Sequence, residues 1–229
     1  MRNCMSLVLL LFAVGSSAQE TPPPPQPAVL PTVAQVPKYS VGDSWTVKFV
    51  DGRTQTRKVR AIERDQYVIE WGLDLVRYYD RELILRRQIT PENGKDFPSY
   101  LEKQRAMDFP LSVNKNWDFR ILISKFEPLI HGTRYYYRVY SSNVLGTETI
   151  QIPAGTFGAF KVEDTVYEIL CLSMNASNWD CNTLPNTTTV RDWWYSPEVK
   201  FPVKMMTRVK GPDITGQEPD YELTAYELK

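Results

Sequence analysis

Trp45-Thr46-Val47-Lys48-Phe49-Val50-Asp51-Gly52 is the stretch that decides the fold. Trp45, Val47 and Phe49 alternate with Thr46 and Lys48, the two-residue period of a strand with one buried face. Asp51-Gly52 then favours a tight hairpin turn, because glycine accepts the positive φ that such turns require. Working outward, residues 57–62 return, Asp65-Gln66 turns, and Tyr67, Ile69 and Trp71 alternate with Val68 and Glu70 before Gly72. Residues 75–79 and 82–89 continue the meander. Later, Trp117, Phe119, Ile121 and Ile123 share one face, and Tyr135, Tyr137 and Val139 share another. Residues 141–152, 159–172, 188–195, 203–210 and 221–228 read as further strands, rich in the β-branched and aromatic residues that suit a pleated, half-buried surface.

One segment reads as helix. Residues 99–107 (SYLEKQRAM) lack β-branched side chains and set Tyr100, Lys103, Gln104 and Met107 at helical spacing, with Asp96 as a cap and Pro98 in the first turn. The expected fold is therefore mainly β: a curved antiparallel sheet or partly closed β-barrel with one short helix. An open sandwich is the other arrangement that this pattern permits.

The ends of the chain read differently. Arg2, the apolar run 7–14 (LVLLLFAV) and Ser16-Ser17-Ala18 have the three parts of a secretory signal peptide, so residues 1–18 are expected to be removed after Ala18. The apolar run is far short of the ~20 residues that span a bilayer, so no transmembrane segment is expected in the mature chain. Cys4 precedes the apolar run and Gln19 follows the cut, which disfavours a lipid anchor. Residues 19–37 form a proline-rich linker, expected to be a semi-rigid polyproline spacer. A single β-rich domain is then expected over residues 38–229.

Composition narrows the function classes. Of 229 residues, 42% are hydrophobic and 24% charged, with 27 Lys and Arg against 27 Asp and Glu, which excludes a disordered polyelectrolyte and a multi-span membrane protein. Such a balance gives no nucleic-acid footprint. Arg53, Arg57, Lys58, Arg60 and Arg64 cluster, but Glu63, Asp65 and Glu70 lie among them, so they read as the solvated outer face of a strand pair. Once Cys4 is gone, Cys171 and Cys181 are the remaining pair, and an oxidising compartment leads us to expect a disulfide between them. With no CxxC motif and one histidine, no metal and no cofactor is expected.

Ile150-Gln151-Ile152-Pro153-Ala154-Gly155-Thr156-Phe157 joins a strand end to a turn: Pro153 cannot donate to a ladder and Gly155 can take positive φ. This run, the following GAFKVE (158–163) and the later WWYSPEVKFPVKM (193–205) resemble an uncharacterised family of exported bacterial β-rich domains, a domain of unknown function with a proline, Ala-Gly-Thr-Phe turn motif. The resemblance covers roughly residues 109–229. It implies a periplasmic or cell-surface setting and a curved antiparallel sheet, and it brings no catalytic residues. The loop 173–186 and its cysteine pair are an insertion relative to that pattern.

Chemistry is sparse. His131 is the single histidine and reads as a turn residue, and no nucleophile elbow, HExxH, P-loop or GxGxxG is present. Asp80 with Glu82, or Asp164 with Glu168, share a strand face if extended, as a glycosidase pair must share a cleft. Asn175 and Asn186 each begin an N-glycosylation pattern, which a bacterial setting makes incidental. Aromatics are the richest feature: Tyr135-Tyr136-Tyr137 and Trp193-Trp194-Tyr195 must, in strands, point to both faces. Tyr135, Tyr137, Trp193, Trp194 and Tyr195 are accordingly the candidate ligand-binding residues, with no catalytic residue assigned. These features lead us to expect an exported, non-enzymatic domain of the periplasm or cell exterior that binds a small apolar, aromatic-stacking or sugar ligand, or an envelope protein. The alternatives are a carbohydrate-active protein, as hydrolase or glycan-binding module, and a structural or assembly factor of the envelope.

Overall fold

The computed structural model describes residues 28–72, 75–90, 95–98, 107–127, 132–175, 178–183, 188–209 and 219–229; within these it describes only the backbone of 90, 95–98, 122–127, 132–135, 170–175 and 178–183. The strands are β1 (Ser44–Phe49), β2 (Thr54–Glu63), β3 (Gln66–Trp71), β4 (Val76–Tyr79), β5 (Leu85–Thr90), β6 (Lys95–Pro98), β7 (Asn116–Glu127), β8 (Gly132–Ile152), β9 (Gly155–Asn175), β10 (Asn178–Thr183), β11 (Thr189–Ser196), β12 (Phe201–Val209) and β13 (Tyr221–Glu227). All join one antiparallel sheet in the order β6-β5-β4-β3-β2-β1-β13-β12-β11-β9-β8-β7, with β10 pairing the far half of β9. The sheet is open, with β6 and β7 at its ends.

Local chemistry explains the turns. Gly52 sits at φ 87° and donates to the Phe49 carbonyl at 2.9 Å, closing the first hairpin. The second turn falls one residue earlier than the expected Asp65-Gln66: Arg64 and Asp65 both have positive φ, the primed geometry that matches strand twist. Pro153 and Ala154 make the two-residue link between β8 and β9, and Gly155 follows at φ 141°.

Register shifts at Thr46/Val47, Val59/Ala61, Val144/Gly146 and Trp194/Tyr195 bend the strands, because a bulge adds a residue to one side of a pair. The interior buries Trp45, Val47, Val59, Tyr67, Val144, Val162, Phe160, Tyr195 and Leu223. Trp45 donates from Nε1 to the Val199 carbonyl at 2.7 Å and stacks on Phe201 at 5.2 Å, which fixes β1 against the β11–β12 turn.

Two expectations meet a different structure. Asp96 and Pro98, read as helix cap and first turn, lie in β6; residues 99–106 of the expected helix lie outside the described residues. The proline-rich spacer does not extend to Pro37. Ala34 is buried and exchanges two backbone hydrogen bonds with Leu111, at 2.9 and 2.8 Å, and Val36 packs on the core. A polyproline-like chain has no internal hydrogen bonds, so its free amides and its apolar Val, Leu and Ala side chains suit it for docking on a sheet. The signal peptide and residues 19–27 lie outside the described residues.

Candidate functional site

Alternation places one set of side chains of each strand inside the bend, and that set includes charges. On β2, Arg57 shares its side with Val59; on β8, Arg138 shares its side with Tyr136 and Ser142; on β11, Arg191 shares its side with Trp193 and Tyr195. Arg57, Arg138 and Arg191 are all buried. Together with Arg77 of β4 and aromatic residues they line a cavity of ≈ 510 Å³. Its wall includes Leu85 and Gln88 of β5 and also Phe119 and Ile121 of β7. Those strands lie near opposite ends of the sheet order, so the sheet curls until its two ends face each other across the cavity.

One wall is a cross-strand ladder. Arg57 stands opposite Trp71, and Arg77 opposite Gln88. The guanidinium carbons of Arg57 and Arg77 lie 3.8 and 3.9 Å from the Trp71 ring centre, approaching it from the two neighbouring strands. Such cation–π contact is stronger when desolvated. Arg77 Nε donates to Gln88 Oε1 at 3.1 Å. Arg57 also lies over the Phe201 and Tyr221 rings and hydrogen-bonds the Tyr221 hydroxyl. Burial, with the repulsion of Arg77, lowers the Arg57 pKa from the usual arginine value, while burial raises that of Tyr221.

The facing wall is a chain of ion pairs set by register. Ser142, Asp164 and Arg191 stand directly opposite one another across β8, β9 and β11. Ser142 Oγ donates to Asp164 Oδ1 at 2.7 Å, and Arg191 Nη2 lies 3.4 Å from Asp164 Oδ2. Burial raises the Asp164 pKa above the ordinary carboxylate value, against the pull of Arg191 and of the hydrogen bonds from Trp193 and Ser142. Arg138 faces Glu168 and donates to it from Nη2 at 2.8 Å and from Nε at 3.2 Å.

The candidate residues disperse. Trp193 lines the cavity, edge-on to Trp117 at 6.4 Å. Its neighbour Trp194 points to the other side of β11, where Lys161 and Lys204 lie over its ring and its Nε1 donates to Glu148. Those long side chains cover the indole with their stems. Tyr195 is deep in the core against Phe109, with burial pushing its pKa up. Tyr137, half-buried, has Arg120 over its ring at 5.0 Å. His131, the Tyr135 side chain and both cysteine side chains lie outside the described residues, although the backbone register sets Cys181 directly opposite Cys171.

Asp80 and Glu82 form a turn rather than a strand face: Asp80 Oδ1 accepts from the amides of Glu82 and Ile84, both at 2.9 Å. Among the described residues, no three His, Cys, Asp or Glu side chains gather into a metal site. The cluster read as a solvated basic face divides, with Arg60 outside beside Glu70 and Arg57 inside. Arg57, Arg77, Arg138 and Arg191 escaped composition-based reading; the signal that could have found three of them is a charge at the parity of core residues.

No family model matches the chain, and no curated protein matches it. Among solved structures it is similar to the hypothetical lipoprotein YmcC from Escherichia coli, with TM-score 0.42 and 10% identity over 85% of this chain and 90% of that one. A "putative lipoprotein" from Parabacteroides distasonis gives TM-score 0.37 and 15% identity over 85% and 99%. A "putative exported protein" from Bacteroides fragilis with a YmcC-like fold gives 0.35 and 12% over the same shares. Superpositions this loose transfer no residue role to this chain.

Proposed function

We propose that this chain is an exported binding domain whose curled sheet holds one small organic ligand with an apolar or aromatic body. The single observation that carries this is the ≈ 510 Å³ cavity between the ends of the sheet, a size typical of small-molecule sites. Its wall combines Trp45, Ile69, Leu83 and Trp193 with a few fixed polar groups, the usual composition of such pockets. The signal-peptide pattern of residues 1–18 supports export to the periplasm or beyond. We also infer a Cys171–Cys181 bridge, supported by their opposed positions on β9 and β10.

The hydrolase alternative loses support from geometry. Asp164 and Glu168 are four residues apart on one strand, roughly 13 Å by strand rise, beyond the ~5 to 10 Å of glycosidase pairs. Each is also engaged by an arginine. Glycan stacking on Trp194 is disfavoured by the side chains that cover it.

Titration of the mature chain with the neutral fluorophore N-phenyl-1-naphthylamine tests the proposal. Saturable binding at one site is expected, weakened in Ile69→Trp, whose larger side chain takes up part of the cavity. Absence of saturable binding by this probe and by its sulfonate-bearing counterpart alike, or binding indifferent to that substitution, would refute it.

A further inference from the structure

Counted over the described residues, the cavity wall holds four guanidiniums, of Arg57, Arg77, Arg138 and Arg191, and one carboxylate, that of Asp164. Glu168 compensates Arg138 from beside the wall. The remainder is an excess of two positive charges around a half-open, aromatic space. Desolvated charge is unfavourable unless something of opposite sign shares the site.

Where that charge is concentrated is also visible. Arg57 of β2 and Arg191 of β11 both line the cavity, and Tyr221 of β13, which lies between those strands in the sheet order, lines it with them and is within electrostatic reach of both. Arg191 is only 7% exposed; its Nη2 meets Asp164 at a long 3.4 Å, and its Nε is buried with no acceptor. Trp71 Nε1, on the opposite wall, is a second buried donor with no acceptor. Buried donors in native proteins ordinarily have partners, so these leave hydrogen-bonding capacity unused on both walls.

We infer that the cavity takes an amphipathic organic anion, its carboxylate, sulfonate or phosphate group set between Arg57 and Arg191 and its apolar body against Ile69, Leu83 and Phe119. This rests on the binding function proposed above and specifies the chemistry of its ligand. A guanidinium pair with adjacent N–H donors matches a multi-oxygen anion, which accepts several charge-assisted hydrogen bonds at once. The aromatic walls supply the burial of the remainder.

The test compares two probes that differ by one sulfonate: 1-anilinonaphthalene-8-sulfonate and neutral N-phenyl-1-naphthylamine, titrated into the mature wild-type chain. At least tenfold tighter binding of the sulfonate is expected. Arg57→Gln and Arg191→Gln should each shrink the sulfonate's advantage over the neutral probe about tenfold. Arg57→Lys keeps the charge and should retain most of the preference if the glutamine variant fails to fold. Equal binding of both probes by the wild type would overturn the anion inference and leave the cavity function standing. Failure of both probes to bind would sink the cavity function, and this inference with it.

Discussion

Arg138 and Glu168 show how strongly one buried residue is committed. Their side chains are 3% and 4% exposed, and the ion pair spans two strands at 2.8 Å. Removing one partner leaves the other charge in a low-dielectric interior, so Arg138→Met should destabilise the fold by about 3–5 kcal/mol, read by urea denaturation. The double variant Arg138→Met with Glu168→Leu should recover most of that loss, because well-packed apolar pairs replace buried ion pairs at little cost. Asp164 gives a pH signature. Burial raises its folded-state pKa above the unfolded one, so the folded form takes up the proton first as pH falls. This residue's contribution is most favourable in acid and declines as pH rises through the folded-state pKa. The stability of wild type relative to Asp164→Asn should therefore increase between pH 7 and pH 4. Asp51 and Glu227, whose pKa values are lowered by Arg53 and Lys229, work in the other direction but cancel in that difference. Such residues were the hardest to read in sequence. Arg57 sits in a run of five basic residues, and charge counting groups it with exposed Arg60; only its parity with Val59 separates them.

At the scale of elements, the strands were legible because each carries its own period. Expected 67–71 and 221–228 correspond to β3 and β13 within a residue or so, since alternation is a local property. The docked N-terminal segment was not legible. Its prolines mark extended backbone, but whether extended chain is free or packed depends on what it meets, and its partner Leu111 is remote in sequence. Gly158 records that meeting. A Cβ there would fall 2.1 Å from the Val29 carbonyl oxygen, so Gly158→Ala must displace one chain from the other. A loss of about 1–3 kcal/mol is expected, as for other overpacked sites. Hydrogen exchange should show the Ala34 amide protected in the wild type and unprotected in Gly158→Ala, since that amide bonds to Leu111 only while the segment is docked. Cys171 and Cys181 belong to the same scale. Intact mass of the exported protein should be 2 Da below the reduced value, and reduction should lower stability by about 2.5–3 kcal/mol for so short a ring.

For the whole molecule, the decisive feature is curl. Alternation states that a sheet exists and which side chains share a face, but the amount of bending follows from bulges spread over several strands, and these leave no local mark in sequence. A curved sheet was expected from the run of strands and from the resemblance, but neither carried the cavity's polar lining. Of the five aromatic candidates, the fold sends Trp193 to the cavity, Trp194 beneath Lys161 and Lys204, and Tyr195 into packed core, a division that depends on which side of one bent strand faces in. Everything functional here follows from a space left between the ends of that sheet. Native mass spectrometry of the exported protein, purified without detergent, probes that space directly. The wild type should carry an adduct of a few hundred daltons that is depleted in Ile69→Trp. Bare protein mass alone in the wild type, or an adduct equally abundant in Ile69→Trp, would contradict it.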